Sequence, residues 1–363
     1  WITARAGEVT ARSFAGAVDP RDLDEAARRR RALLAELGAR MGLAHLPKVE
    51  IVFSPSRRAA AQHRLAAGRA FAAAGRAEVI WPGAPDAYEA RRPGHELAHL
   101  LAAYWDGAPA HLPLVEEGLA EVLDASGRDL HHAYAAARWA DGAGGDPVAF
   151  TTDDLSGSDY GRAGSFVRSL VDRHGLTGLR ALWPHLAVRY GGGRMWGADG
   201  TQIGSVAALE GFLDRALRAA LGGDLATERA AWARALRPYL EAPEASLPDG
   251  DLVEIQRVIA AYDRAVTDGD IEGARAALDG FYCDVWDDGD RAALLSREVQ
   301  RLEDAETKVL AVRRRGLRNY PEVVVHGVRR ETMGGRSAYR AVTMWLEHFP
   351  VGWRLTGSTA WTP

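Results

Sequence analysis

Hydrophobic positions follow two periods along this chain, and the switch between them outlines its elements. Within Ile2–Val18, the stretches Ile2-Thr3-Ala4-Arg5 and Val9-Thr10-Ala11-Arg12-Ser13-Phe14 put an apolar residue at every second position and predict strands. Asp22–Met41 changes to a helical interval, with Leu33, Leu34 and Leu37 on one side of a charged amphipathic helix. Val49–Ser54 is apolar almost throughout and reads as a buried strand, as does Ala77–Trp81. Pro93–Trp105 and Leu112–Asp124 predict two helices joined by the turn Asp106-Gly107-Ala108-Pro109. Further helices are expected at about Ser165–His174, Thr177–Ala187, Ser205–Leu221 and Ala226–Leu240.

The pattern breaks at Glu241–Asp251, where two prolines, a glycine and several acids interrupt the apolar period. This predicts a first domain over residues 1–243, a linker over 244–251 and a second domain over 252–363. Helices at about Leu252–Thr267, Ile271–Ala277 and Arg291–Glu303 open the second part. Strand-like stretches follow at about Thr307–Arg315, Pro321–Arg330, Ser337–Phe349 and Gly352–Ser358. Strands grouped after helices indicate an α+β class with an antiparallel sheet.

Composition narrows the class. The 363 residues suit about two domains, and 47% hydrophobic with 26% charged residues excludes disorder as the main state. The net charge of −4 argues against nucleic acid as the partner. The single cysteine, Cys283, excludes an intrachain disulfide and any cysteine-based zinc cluster. The chain begins at Trp1 rather than Met. It is therefore read as a processed or truncated product, from which a leader peptide or membrane anchor could be missing. The expected location is extracytoplasmic: secreted, periplasmic or membrane-anchored.

The candidate chemistry starts with His95-Glu96-Leu97-Ala98-His99, an H-E-x-x-H motif inside a predicted helix. Histidines at i and i+4 project from one helix face and can reach one ion, and Glu96 lies beside them as a candidate general base. A catalytic zinc needs a third protein ligand. Glu117 in the next helix follows His99 by 117 − 99 = 18 residues, room for a turn and a returning helix. Glu121, four residues on, shares its face and could accept the far N–H of a ligand histidine. Glu116 competes with Glu117 for the ligand role. It ranks lower because Ala120, at its own i+4, offers no such partner. Gly118 would let the two helices approach closely. The metzincin pattern fails, since Ala102 and Trp105 stand where it needs Gly and His.

Together, the HELAH helix, the EEGLAE helix and the segment YGRAGSFVRSLVDRHG (Tyr160–Gly175) resemble the gluzincin metallopeptidases, in particular small bacterial peptidase-MA-like domains. The resemblance covers roughly residues 45–190. It implies a thermolysin-like catalytic domain, zinc held by His95, His99 and Glu117, Glu96 as general base, and hydrolysis of peptide or protein substrates. Amide hydrolysis also needs a donor to the developing oxyanion. Tyr160, at the start of the third motif, is the candidate, with His131, His132 and Tyr134 behind it. His131-His132 reads as part of a surface turn, and Arg162 could bind a substrate carboxylate.

Residues 252–363 resemble the nuclear transport factor 2-like (SnoaL-like) superfamily, from the "AVTDGD" end of the first helix and the closing strands around Gly352-Trp353-Arg354-Leu355. That implies a cone-shaped α+β domain, with Tyr282, Cys283, Trp286 and His326 as candidate pocket residues. It also implies a surface for homo-oligomers. The alternative to a peptidase is a non-catalytic extracytoplasmic binding or scaffold protein that uses this domain as its ligand or partner module.

Overall fold

Local chemistry sets most element ends. In the computed structural model, which describes residues 1–54, 57–65, 69–71, 74–80, 94–108, 110–124, 129–140, 145–241, 251–278, 302–315, 322–349 and 352–358, strands β1 (Ile2–Ala6) and β2 (Val9–Ser13) form a hairpin through Gly7. Helix α1 (Pro20–Arg40) starts where the Asp19 carboxylate accepts the Arg21 N–H at 2.8 Å and Pro20 presets the first turn. Then come β3 (Val49–Ser54), α2 (Arg57–Gln62), β4 (Arg69–Phe71) and β5 (Arg76–Ile80). The five strands make one mixed sheet ordered β1-β2-β3-β5-β4. The β2–β3 and β3–β5 pairs are parallel, and the two outer pairs antiparallel.

Helix α3 (His95–Asp106) packs beside β4 and β5 and ends at Gly107, whose φ of 73° closes the last turn. Helix α4 (Pro113–Leu123) returns alongside it. The Asp106 carboxylate meets the His111 ring at 2.9 Å and accepts the Ala108 N–H at 3.0 Å, tying the end of α3 to the approach of α4. Helix α5 (Leu130–Ala140) precedes α6 (Tyr160–Leu182), which is capped by Asp159. The two expected helices at Ser165–His174 and Thr177–Ala187 both form, as the two halves of α6, the second ending at Leu182. The path of α6 breaks at Gly175 (φ 66°, ψ 175°), and it gives way at Trp183–Leu186 to a 3₁₀ turn. A hairpin follows, β6 (Val188–Gly191) and β7 (Arg194–Gly197), and then α7 (Val206–Leu221) and α8 (Leu225–Glu241).

The expected linker lies, apart from Asp251, outside the described residues, as does most of the helix expected at Arg291–Glu303. Beyond it, α9 (Asp251–Asp268) and α10 (Ile271–Ala277) precede the strands β8 (Asp304–Arg315), β9 (Glu322–Met333), β10 (Arg336–Phe349) and β11 (Gly352–Ser358). These strands form an antiparallel sheet ordered β11-β10-β9-β8. The class is α+β.

Buried apolar residues fall into two main clusters, one running from Ala4 to Leu236 and the other from Ile255 to Leu355. In the second, Val323, Val325, Met344 and Leu346 join Ile255, Ile259 and Tyr262 of α9. Helix α5 also packs against β9 and β10. There the His132 ring lies 5.7 Å from that of His326, and the two side chains are 5% and 1% exposed. His131-His132 is therefore no surface turn but the buried first turn of a helix held between α6, α8 and the second sheet. His326 belongs to that internal contact. Tyr282, Cys283 and Trp286 lie outside the described residues. Among the described residues, no helix is long and apolar enough to cross a membrane.

Candidate metal centre

The i, i+4 spacing on α3 places the two histidines side by side, with ring centroids 5.0 Å apart. Helix α4 brings Glu117 against them. Glu117 Oε2 lies 3.4 Å from His95 Nε2 and 3.4 Å from His99 Nε2. That oxygen is buried, and both nitrogens approach it outside hydrogen-bonding geometry. One ligand atom from each of His95, His99 and Glu117 lies within 4.8 Å of the other two, an arrangement that could hold a metal ion.

The other ring nitrogens are backed by carboxylates. His95 Nδ1 lies 3.2 Å from Glu121 Oε1, and Glu121 is only 3% exposed. His99 Nδ1 lies 3.6 Å from Glu116 Oε1. Neither pair is in hydrogen-bonding geometry here; with an ion on Nε2, each carboxylate is placed to take the far N–H of its ring. Spacing alone points to Glu121 for this role and leaves Glu116 only as a lower-ranked rival of Glu117. The partner of Glu116 sits on the neighbouring helix, so its place in the α4 period could not reveal it. Glu116 also accepts the His111 N–H at 3.4 Å, which ties it to the α3–α4 connection.

Three glycines set the spacing around these acids. A side chain at Gly118 would collide with the Ala163 carbonyl and Val167 of α6. The close approach that Gly118 permits is therefore to α6, not to α3 as the sequence suggested. A Cβ at Gly157 would stand 2.9 Å from Glu117 Cγ, and its φ of 69° also favours glycine. A Cβ at Gly164 would stand 3.0 Å from Glu121 Cβ.

The remaining candidates divide. Glu96 is half-buried beside His99, and its charge acts on that ring. Tyr160 is 43% exposed at the start of α6, with its ring 6.0 Å from that of His95. Tyr134 is buried and donates to the Pro147 carbonyl at 2.8 Å. His131 is held at 2.9 Å from Ser165 Oγ, and burial pushes its pKa down. Arg162 is not available to a substrate. Its guanidinium donates to Asp154 at 2.9 Å, to Thr151 at 2.6 Å and to the Tyr134 hydroxyl at 3.1 Å, and it pairs with Asp159 at 3.1 Å.

Without an ion, protons and carboxylates share the site. Burial opposes the charged form of His99, but Glu116 and Glu117 outweigh it and raise the pKa to about 10. Burial likewise works against ionised Glu117, and His95 and His99 outweigh it, lowering its pKa to about 2. The His99 contribution to stability is then complete below its ordinary value of 6.5 and is lost as pH rises through about 10. The Glu117 contribution is complete above 4.5 and is lost as pH falls towards about 2. A metal must displace the His99 proton. Apparent affinity for a divalent ion is expected to rise about tenfold per pH unit for that proton between about pH 6 and 8. Titration against a competing chelator measures the slope, and a flat profile would mean that His99 is already neutral.

No protein-family model matches this chain, and no curated protein matches it.

Proposed function

We propose that the chain is a zinc-dependent peptidase of the gluzincin type, with His95, His99 and Glu117 as zinc ligands. The observation that carries this is the 3.4 Å separation of Glu117 Oε2 from each histidine Nε2. Ligands about 2.0–2.1 Å from a tetrahedral zinc stand about 3.3–3.4 Å apart along each edge. Two imidazoles and one carboxylate also suit zinc chemically and leave its fourth position open.

Zinc, when bound, supplies a Lewis acid that polarises a carbonyl and makes water more acidic. The protein's own groups do the rest. Glu96 takes the proton of the attacking water and passes it to the departing amine. Tyr160, on the His95 side, donates its hydroxyl to the carbonyl oxygen as negative charge gathers there. Glu121 and Glu116 hold the two rings in one tautomer. We read the mixed sheet beside α3 as the upper lobe of a thermolysin-like domain, and residues 252–363 as a nuclear transport factor 2-like module.

Elemental mass spectrometry of the purified chain tests the reading. About one zinc per chain is expected in the native protein. Glu117→Ala should lose most of it, because two histidines and an empty carboxylate position hold the ion weakly. A native chain that takes up no zinc at neutral pH would end the proposal.

A further inference from the structure

Arg162 takes no part in the chemistry above, yet it is buried beside residues that do. A buried ion pair adds little net stability over well-packed apolar side chains of the same volume, so its contribution lies in the arrangement it selects. The arrangement here is the loop that leads into α6. Arg162 Nη1 donates to Thr151 Oγ1 at 2.6 Å and to Asp154 Oδ2 at 2.9 Å, at the start of that loop. Its Nη2 pairs with Asp159 Oδ2 at 3.1 Å, at the loop's end. Its Nε donates to the Tyr134 hydroxyl at 3.1 Å, and that hydroxyl donates in turn to the Pro147 carbonyl. One planar guanidinium thus ties both ends of the loop 151–159 to each other and to α5.

The same segment meets the ion site twice. Gly157, inside the loop, seats against Glu117, where a Cβ would stand 2.9 Å from Glu117 Cγ. Tyr160 follows the loop directly, at the first position of α6, with its ring 6.0 Å from that of His95. The place of Tyr160 follows from the backbone beneath it, and that backbone is held from both sides. Asp159, just before it, accepts the Arg162 N–H at 2.9 Å through Oδ1 and the Ala163 N–H at 3.0 Å through its carbonyl. The Arg162 side chain, from two residues on, holds the second oxygen of the same carboxylate. Asp159 therefore caps the helix with one oxygen and joins the clamp with the other. At the far end Asp154 is just as fixed, because its Oδ2 also accepts the Thr151 N–H at 2.6 Å.

We propose that Arg162 is a positioning residue of the peptidase site: by clamping the two ends of the loop 151–159, it sets the start of α6 so that the Tyr160 hydroxyl meets the oxyanion. The proposal rests on the peptidase reading and on Tyr160 as the donor. A donor stabilises developing charge best when it already stands in place, because one that must first be ordered loses part of its effect to that ordering. Arg162 itself touches no substrate and acts only through Asp159 and the helix start.

Asp159→Asn separates the two functions of that carboxylate. Asparagine caps a helix as well as aspartate does, but it cannot pair with the guanidinium, so the Tyr160 end of the clamp opens while the fold stays. The probe is a dipeptide phosphonamidate, whose tetrahedral phosphoryl oxygens stand in for the oxyanion. Acetohydroxamate, which only chelates the ion, is the control. Both are titrated calorimetrically into the zinc-loaded full chain. Asp159→Asn is expected to bind the phosphonamidate about tenfold more weakly, the scale of one hydrogen bond to a charged oxygen, and to bind zinc and acetohydroxamate as the native chain does. Arg162→Lys, whose ammonium cannot span both loop ends, should match it. Tyr160→Phe should show the same loss, and Tyr160→Phe with Asp159→Asn no further one, because both changes remove a single interaction. Native affinity for the phosphonamidate in either clamp variant, or losses that add in the double variant, would overturn the role of Arg162 and leave the peptidase reading standing. If the zinc-loaded native chain binds neither probe, the ion has no open position, and the peptidase reading falls together with the clamp.

Discussion

Glu96→Gln is expected to keep about one zinc per chain and to lose peptide hydrolysis by about 10²–10⁴-fold. On the proposed reading the ion is held by His95, His99 and Glu117 and not by Glu96, and the amide is close in size and shape to the carboxylate, so neither the fold nor the proposed ligands should change. What disappears is a base. An amide cannot take the proton of water, nor return it to the leaving amine. The loss should fall on kcat rather than on KM, since Glu96 is asked to act only as the bond is attacked. Raising the pH should restore part of the rate, because hydroxide from solution needs no base. Steady-state kinetics on a quenched fluorescent peptide, with zinc content measured on the same samples, checks each point. Full activity in the variant would remove Glu96 from the mechanism.

Arg162→Met should cost the fold about 3–5 kcal/mol. Asp154 has a completely buried side chain, and burial already raises its pKa in spite of the guanidinium beside it. With the arginine gone, the carboxyl must either stay charged without its partner or take up a proton. Thr151, the Tyr134 hydroxyl and Asp159 lose a donor in the same step. The methionine keeps much of the apolar volume, so the loss reports on the polar network rather than on a cavity. Asp154 also caps the short turn beginning at Thr152, accepting the Thr151 N–H at 2.6 Å, so the segment leading into α6 should loosen first. Chemical denaturation followed by tryptophan fluorescence gives the free energy. Unchanged stability would mean that the network contributes nothing net.

How much of this was legible in the sequence depended on where each side chain's partner lies. The histidine and glutamate helices could be read because their chemistry repeats at i and i+4 within one element. The strands β8 to β11 were legible because alternation marks a half-buried sheet. Helix α5 was not. Its sequence LHHAYAAARWA has few large apolar residues, and two histidines suggest solvent until α8 and the second sheet close over them. The β6–β7 hairpin hid behind Gly191-Gly192-Gly193, which reads as loop, and its strands are only four residues each. Arg162 looked like a surface or substrate-binding cation because its partners come from three separate segments. Glu116 ranks below Glu117 by spacing for the same reason: its partner is on another helix.

The glycines at 118, 157 and 164 carry no chemistry, yet a methyl group at any of them would press on α6 or on one of the acids. Their tolerance to mutation over evolutionary time should therefore be nearly as low as that of the proposed ligands they surround. Distant relatives of this chain would then share more than H-E-x-x-H. They would keep glycine directly after Glu117, again in the loop before α6, and again one turn into α6. A search pattern that weights these silent positions alongside His95, His99 and Glu117 would separate true relatives from the many helices that carry two histidines by chance.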